Sequence, residues 1–506
     1  MSDCNQLPPA VGAAKPAPKV IKRYEITGKD RLLLGGALVW CFLAVDTVLF
    51  APVWGIGLTS AVFLWYLLLL TALGRRVFHS WESCVLLMEN LVLAAAFALQ
   101  SNPWMRWWNL LALLVLVPIH TCGLCASTQL PWWRPRMLSE RTACWFSGLF
   151  SGVGAAFAAL VPTGKARDSH RTMSFALGCG AAVLLLCILV PVLASADALF
   201  AAATADLRTF LRTHFTTTFA KFLWALILTP FAFSLFYRLR HPAQPGALFP
   251  EKTFFMDGAG FVILLAALDV LYLLFLLVQS AGLFGGPDYL AAKGISYAQW
   301  ARSGFFQMVG VTIVNLSVLL AALTFCHRQG RGWGAVRLLA GALIAESLVL
   351  LASAAWRMNL YVSVYGLSFK RLMTYWGMGM MALFLLAALW KLLRPNRSFC
   401  RAAFPIALAG WLLINCVPLD TVVARDQVER YLSGEATSLD VEYLLEDLSY
   451  GTLAQLNRLD GSMAVYTMDG KTTLGTLLAQ RREEARAECS DWRTWNLSAW
   501  RAAGTP

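Results

Sequence analysis

Apolar residues occur along most of the chain in unbroken runs that short basic, glycine-containing or proline-containing segments separate. Each run is about twenty residues long, the length at which a helix crosses the hydrocarbon core of a bilayer. The runs do not alternate polar and apolar positions as barrel strands do. We therefore predict an all-α fold, a polytopic transmembrane helical bundle of about 11–13 spans. The predicted spans centre on Leu32–Phe50, Gly55–Leu73, Cys84–Leu99, Trp104–Ile119, Ala143–Val161, Ser174–Leu193, Phe219–Leu235, Ala259–Leu283, Phe305–Cys326, Val336–Trp356, Leu372–Leu392 and Phe404–Val417.

Three segments have a different pattern. Residues 1–30 combine proline with lysine, and we expect a basic, disordered N-terminal lead before a transmembrane domain at 31–417. Residues 418–506 have amphipathic helical patterns between glycines, which predicts a small, soluble, helical C-terminal tail. Asp206–Thr218 places apolar residues at helical spacing beside arginines, as a helix lying on the membrane surface does.

The composition supports a membrane protein. Apolar residues make up 58% of the chain and charged residues 14%, and the mean hydropathy is +0.59. Soluble domains contain about 25% charged residues. The net charge is +13, although the tail is acidic, so the excess lies in the short loops and at the ends of the spans. This distribution fits anionic lipid headgroups and includes no continuous basic face for nucleic acid.

The positive-inside rule places the N-terminus inside, together with Arg75, Arg76 and the Arg134–Arg141 cluster. If all predicted spans cross, the later clusters at 238–240 and 394–401 fall outside, against the rule. Removing one span between Glu82 and Val161 brings them inside and puts the tail outside. The sequence leaves the side of the tail open.

Charged residues inside the apolar runs are candidates for function, because an unpaired charge in hydrocarbon costs several kcal/mol. Glu346 and Arg357 point within roughly 20° of each other on one predicted helix, with Ser353 near the same line. They lie about 16 Å apart along the axis and need partners on other helices. Asp269 and Gln279 share another predicted helix. Further polar residues within or beside spans are Asp46, Glu89, Asn90, Asp197, Tyr272 and Asn315.

Motifs for cofactors and catalysis are weak. His120, Cys122 and Cys125 offer three potential metal ligands or a C-x-x-C redox pair, but no second C-x-x-C and no H-E-x-x-H accompanies them. No phosphate loop, dinucleotide fingerprint or G-x-S-x-G elbow occurs. We assign no cofactor, no metal and no catalytic residue.

Several motifs resemble one bacterial family of polytopic membrane proteins, catalogued as a domain of unknown function of the 4153/4173 type. They are V-P-V-L-A-S-A-D-A-L-F at 190–200, Y-L-L-F-L-L-V-Q-S-A-G-L-F-G-G at 272–286, S-Y-A-Q-W-A-R-S-G-F-F-Q at 296–307, the stretch from Ala345 to Arg371, A-R-D-Q-V-E-R-Y, L-D-V-E-Y-L-L-E-D-L-S-Y and D-W-R-T-W-N-L-S at 491–498. The similarity covers roughly the last two-thirds of the chain. Where the family pattern continues Ala-Arg with Tyr-Asn, this chain has Asp426 and Gln427. The resemblance implies a location in a bacterial inner membrane. It implies no particular activity, because none is established for the family. The polar positions it shares are Asp197, Gln279, Arg302, Glu346, Arg357, Tyr365 and Arg371.

Three functions fit the sequence. The leading hypothesis is a transporter-like or channel-like protein with a polar helix-bundle interior, in which Glu346, Asp269 and Gln279 bind a small molecule or an ion. Arg357 and Arg371 then hold anions or lipid headgroups near a membrane face. The first alternative is an accessory or sensory membrane protein that presents its tail to a protein partner. The second is a membrane-embedded enzyme acting on lipid-linked substrates, which no residue cluster supports directly.

Overall fold

The computed structural model describes residues 24–160, 216–242, 257–284, 305–326, 332–467 and 470–504, together with Gly178, Leu185 and Leu189. Nearly all of this chain is helical. The described helices, numbered in chain order, are α1 Gly28–Ala44, α2 Ile56–Leu73, α3 Trp81–Leu99, α4 Pro103–Gly123, α5 Arg136–Ser151, α6 Val153–Leu160, α7 Thr216–Arg240, α8 Gly258–Phe284, α9 Phe305–Phe325, α10 Trp333–Tyr365, α11 Phe369–Leu393, α12 Cys400–Cys416, α13 Leu419–Leu432, α14 Leu453–Leu456, α15 Leu474–Ser490 and α16 Leu497–Gly504. Single π-helical turns at Val45–Leu49 and Tyr443–Asp447 and 3-10 turns at Gly74–Phe78 and Tyr450–Thr452 connect some of them.

The predicted all-α polytopic bundle is confirmed. Among the described residues, nine helices or joined helices are long and apolar enough to cross a membrane, or ten if the bent pair α12–α13 counts as one span. Helix α3 is one of the nine despite the polar Glu89 and Asn90 at its centre. Helix α9, Phe305–Phe325, coincides with the predicted span within one residue. The N-terminal lead up to residue 23 and residues 206–215 of the predicted surface helix lie outside the described residues, as does the predicted span Ser174–Leu193 apart from Gly178, Leu185 and Leu189.

Local sequence signals explain where several helices begin. Thr27 and Asp30 form a reciprocal capping box at the start of α1. The side chains of Ser80, Asn102 and Ser368 accept a backbone N–H at the starts of α3, α4 and α11. Because the first N–H groups of a helix have no intrahelical partner, these caps fix the helix ends at the membrane surface.

The membrane helices form two packed groups. In the first, α1, α2, α5, α6 and α7 surround an apolar core that contains Trp65 and Phe236. In the second, α8, α9, α10 and α11 surround a core that contains Leu265, Leu319 and Leu343. Helix α12 contacts both α3 and α11 and so bridges the two groups.

The two ends of the bundle differ in charge. At one end, Asp30 at the start of α1 forms an ion pair with Arg240 at the end of α7. At the same end, the Ser398 hydroxyl before α12 donates to the Trp133 carbonyl before α5, at 2.6 Å. We call this end the basic face, because its helix ends and loops contain Arg75, Arg76, Arg134, Arg136, Arg238, Arg240, Arg394, Arg397 and Arg401.

Helix α5 begins and ends on the basic face. Its first turns are held by an Arg141–Glu82 ion pair of 2.5 Å at the start of α3, and Ser151 at its end accepts from Arg238 of α7 at 3.3 Å. The candidate span Arg136–Leu160 thus consists of α5, which returns to the face where it starts, and the short α6. For this reason the clusters at 238–240 and 394–401 lie on the same side as Arg75. Strict alternation of all the predicted spans had placed them opposite.

Residues 418–504 cover the opposite end of the bundle, and we call them the tail. Helices α13 to α16 surround an apolar core that includes Val423, Leu444, Leu456 and Leu474. The tail also contains one antiparallel β-hairpin, Ala464–Thr467 and Gly470–Thr473, which the sequence patterns did not predict. The tail core continues directly into the membrane helices through Met105 of α4, Phe369 of α11 and Ile414 of α12.

Backbone hydrogen bonds join the tail to the start of α2. The N–H groups of Ile56 and Gly57 donate to the carbonyls of Trp495 and Arg493, at 2.9 Å and 3.1 Å. A Cβ atom on Gly55 would lie 2.3 Å from the Thr494 carbonyl oxygen. Only glycine permits such a close approach, so the backbone at the start of α2 contacts the backbone of the tail directly at this point.

Two ionic contacts reinforce this junction. Arg106 of α4 forms an ion pair of 3.0 Å with Glu488 of α15, and Tyr450 and Asn496 also donate to the Glu488 carboxylate, at 2.9 Å and 2.8 Å. All four groups are at least partly buried, a setting in which removing one partner of an ion pair costs about 3–5 kcal/mol.

Arg493 forms the second contact. It pairs with Asp46 of the first π-helical turn at 2.9 Å and with Asp491 at 2.6 Å, while Lys221 of α7 approaches Asp46 at 2.6 Å. The hydrogen bonds from Arg493 lower the pKa of Asp491 below its usual value. Two acids thus neutralise two bases where the tail meets α1 and α7.

We predict that Gly55→Ala loosens the tail, because the added methyl group overlaps the Thr494 carbonyl and forces the backbones apart, at a cost of about 1–3 kcal/mol. Limited proteolysis of detergent-solubilised protein measures this as faster cleavage within residues 418–504. Gly35→Ala is the matched control, since a Cβ there has no atom within 4 Å. Equal cleavage rates for Gly55→Ala and the wild type would contradict this account of the junction.

Candidate functional site

A chain of hydrogen bonds connects three helices inside the second group. The Tyr272 hydroxyl of α8 donates to Asn315 Oδ1 of α9 at 2.7 Å, and Asn315 Nδ2 donates to Ser347 Oγ of α10 at 2.9 Å. All three side chains are buried, and Ser347 is fully so. A neutral, hydrogen-bonded chain has a small desolvation cost between apolar helices. Its two hydrogen bonds join α8 to α9 and α9 to α10, and so fix the relative positions of these helices.

Two carboxyl groups lie beside this chain. Asp269 is three residues before Tyr272 on the same face of α8, and Glu346 precedes Ser347 on α10. Helices α8 and α10 pack against each other, and Asn315 joins Tyr272 to Ser347, so both carboxyl groups flank the same hydrogen-bonded chain. We call these five residues, Asp269, Tyr272, Asn315, Glu346 and Ser347, the polar cluster.

The carboxyl oxygens of the polar cluster are poorly satisfied. Both oxygens of Asp269 and one of Glu346 are buried without a hydrogen-bond partner in the described part of the chain. Two neighbouring carboxylates in a low-dielectric setting repel each other, so such a pair takes up a proton or a cation between them. Chemically, the cluster is therefore suited to binding a proton, a metal cation or a cationic group of a ligand.

The other predicted site residues lie at different places. Ser353 and Arg357 are buried further along α10, between Glu346 and the tail. Gln279 belongs to α8, the helix of Asp269, and its side chain is outside the described part. Asp197 and Arg302 also lie outside the described residues. The structure thus brings Asp269 and Glu346 together and places Tyr365 and Arg371 apart from them.

Tyr365 and Arg371 belong to the turn between α10 and α11. Arg371 Nη1 donates to the Tyr365 carbonyl at 2.9 Å and also to that of Gly366, and its guanidinium lies 4.5 Å from the Tyr361 ring centroid. These carbonyls end α10 and have no intrahelical donor. Arg371 therefore caps a helix in this structure, where the sequence suggested anion or lipid binding.

The tail holds the same turn through the Ala-Arg-Asp-Gln segment. The Leu367 N–H donates to Asp426 at 2.7 Å, Gln427 donates to the Leu367 carbonyl at 2.7 Å, and Arg430 donates to the Ser363 carbonyl at 2.7 Å. Gly366 has a φ of 71°, which favours glycine at this turn. Although Asp426 and Gln427 depart from the family pattern, both side chains have clear partners here.

His120 is a structural residue. The Ser83 hydroxyl donates its single proton to the Val77 carbonyl at 2.5 Å, so it accepts at 2.8 Å from His120 Nε2. His120 Nδ1 then accepts from the Tyr66 hydroxyl at 3.1 Å. His120 is therefore a neutral imidazole with its proton on Nε2. Because Nε2 donates to the Ser83 hydroxyl, it cannot accept the proton of that hydroxyl. This arrangement argues against Ser83 as a nucleophile with His120 as its base.

The C-x-x-C motif does not form a metal site among the described residues. Cys122 and Cys125 are buried free thiols at the end of α4, and no group of three or more His, Cys, Asp or Glu suited to a metal ion occurs in this part of the chain. Both thiols pack in the first apolar core.

Sequence reasoning missed the contacts that attach the tail. Arg106 lies inside a predicted span, and its charge was a signal that a partner exists. Glu488 was not recognisable as that partner, because it follows the charged run at 481–486 on an apparently solvated helix. Lys221 and Arg493 were likewise not linked to Asp46, which precedes them by 175 and 447 residues.

Comparison with protein-family models identifies the family of this chain. The model of the family described as "Domain of unknown function (DUF4153)" matches residues 87–459. The chain belongs to the DUF4153 family. Searches of curated proteins and of solved structures gave no match.

The DUF4153 segment contains the whole polar cluster, the turn at Gly366 and the Asp426–Arg430 contacts. It begins within α3, further towards the N-terminus than the motifs indicated, and it ends before Glu488 and Arg493. The residues that attach the tail to α1, α2 and α4 thus include members from outside the family segment.

We predict that Asn315→Ala lowers the stability of this DUF4153 protein by about 1–3 kcal/mol, because the buried hydroxyls of Tyr272 and Ser347 each lose their partner. Thermal unfolding in detergent measures the change. Ser317→Ala is the control on the same helix, since its exposed hydroxyl bonds only to the Ile313 carbonyl of α9. An unfolding temperature equal to that of the control would contradict a connecting role for Asn315.

Proposed function

We propose that this protein is a transport-type membrane protein whose polar cluster binds a proton or a small cation between α8, α9 and α10. The carboxyl pair Asp269–Glu346 carries the proposal. Three of its four oxygens are buried without hydrogen-bond partners in the described residues, within helices that are apolar enough to cross a membrane.

The free energy of burial supports a functional role for this pair. An ionised Asp at the centre of a membrane helix costs about 2.5–3.5 kcal/mol even on the most permissive scale. The Tyr272–Asn315–Ser347 chain already joins the three helices with neutral groups, so packing does not require the two carboxyls beside it. A group that exchanges a proton or a cation with water accounts for both carboxyls.

Helix α10 extends the polar path toward the tail. Ser353 and Arg357 lie on the same side of α10 as Glu346, and the carbonyls at the end of this helix accept from Arg371 and Arg430. A shift of α10 therefore moves the polar cluster and the tail contacts together, as rigid helices do in hinge and shear motions. Gln279, Asp197 and Arg302 remain candidates for the same path.

The charge distribution supports one orientation in the membrane. Cytoplasmic loops carry an excess of lysine and arginine, and the arginines at the described helix ends gather on the basic face. We place the basic face in the cytoplasm and the tail on the opposite side. Together with the family resemblance, this fits a bacterial cytoplasmic membrane.

We predict that a membrane-impermeant, charged methanethiosulfonate reacts with cysteines at Ser347 and Ser353, because water must reach a cation-binding interior. Peptide mass spectrometry locates the label, since the chain has 12 cysteines of its own. Ala352→Cys is the matched control, as this residue is exposed on the outer side of α10 next to Ser353.

The labelling is performed on sealed vesicles, with reagent added from each side. Reaction at both serine positions and none at 352 supports the polar interior. If neither Ser347→Cys nor Ser353→Cys reacts from either side, the transport proposal fails.

We predict that alkaline phosphatase fused after Pro506 is active in a bacterial host, because this enzyme folds only where disulfides form, outside the cytoplasm. The same enzyme fused after His241, next to the end of α7 on the basic face, stays inactive. Phosphatase activity normalised to fusion protein measures both. An active fusion at 241 together with an inactive one at 506 would reverse the orientation.

A further inference from the structure

A cavity lies between α3 and α12, two helices that do not contribute to the polar cluster. Its volume is about 210 Å³. Apolar and aromatic side chains form most of its wall. The lining residues include Trp81, Glu82, Glu89, Trp132, Phe404, Leu408 and Ala409. Sites for drug-sized ligands have about 300–1,000 Å³, so this cavity suits a smaller molecule.

Two acidic side chains line this cavity, and they differ in their partners. Glu82 forms its 2.5 Å ion pair with Arg141. Glu89 is 1% exposed, and its Oε1 is buried without a hydrogen-bond partner in the described chain. Glu89 thus presents an unsatisfied acceptor in an otherwise apolar cavity near the middle of α3.

The chemistry of the wall selects a class of ligand. A buried carboxylate needs a cation or a hydrogen-bond donor, and a protonated amine supplies both in one group. Trp132 and Phe404, whose ring centroids are 6.0 Å apart, add an aromatic surface to the cavity wall. The remaining apolar wall fits a short hydrocarbon or an aromatic ring.

We propose that this cavity binds a small lipophilic amine, with the ammonium group at Glu89 and the apolar part against Leu408 and the aromatic wall. The site is separate from the polar cluster, so this inference does not depend on the proposed transport function. Because the ligand is amphiphilic, it enters from the lipid phase or from the membrane surface near Trp81.

The test uses the full-length protein in detergent and isothermal titration calorimetry against blank micelles. The probe is 2-phenylethylamine, and 2-phenylethanol is its neutral counterpart of nearly the same shape. Wild-type protein is expected to bind the amine at least about tenfold more tightly than the alcohol. Glu89→Gln reduces the affinity for the amine to that for the alcohol, while Glu446→Gln, which removes an exposed tail carboxylate, leaves it unchanged.

A second variant separates ligand binding from effects on folding. Ala409→Trp adds bulk at an exposed lining position and keeps Glu89, so it weakens binding of both probes without removing the charge. Gel filtration and thermal unfolding verify that each variant is folded. If Glu89→Gln does not fold, the wild-type preference for the amine over the alcohol and the weaker amine binding of Ala409→Trp decide.

Three results would each overturn the proposal: no binding of the amine by the wild type, equal affinity for amine and alcohol, or full amine affinity in folded Glu89→Gln. Unchanged amine binding by Ala409→Trp would also place the amine outside this cavity.

Discussion

An ionised side chain that leaves water for a layer of apolar helices loses its hydration and recovers it only through a partner of opposite charge or through hydrogen bonds. The buried charges of this protein divide into two kinds under that constraint. Arg106, Arg141 and Arg240 each have an acidic partner, and these pairs join helix ends near the two faces of the bundle. Asp269, Glu346 and Glu89 each retain a buried oxygen without such a partner among the described residues. The first kind joins parts of the fold, and the second kind comprises the acceptors to which our two proposals assign a ligand.

The paired charges also determine how the tail belongs to the molecule. A soluble appendage has its own core and a flexible connection, whereas this tail shares a core with α4, α11 and α12. It also satisfies carbonyls and charges at the ends of α1, α2, α4 and α10. The expected boundary at residue 418 marks a change in composition, and the packing continues across it. A partner protein would therefore contact the tail and the membrane helices as one surface.

The sequence was sufficient for the features that depend on local composition. Helix positions followed from the length of apolar runs, and the candidates Asp269 and Glu346 followed from charge within those runs. Their placement beside one hydrogen-bonded chain did not, because periodicity gives the direction of a side chain on its own helix but not which helices pack together. The partners of Arg371 could not be inferred for a related reason, since the Tyr365 and Gly366 carbonyls come within its reach only once the turn has formed. The path of α5 could not be read from apolarity, because both of its ends are held by side chains of α3 and α7.

The contact between Asp46 and Arg493 joins residues that are 447 positions apart in the chain. During synthesis, α1 and α2 enter the membrane long before Arg493 and the backbone of Thr494 and Trp495 leave the ribosome. Until then the N–H groups of Ile56 and Gly57 lack their carbonyl partners in the tail, and Asp46 lacks Arg493. Synthesis of Arg493 therefore completes the contacts of the first helices, and a chain truncated before this residue exposes an N-terminal bundle without them to the cell's proteases.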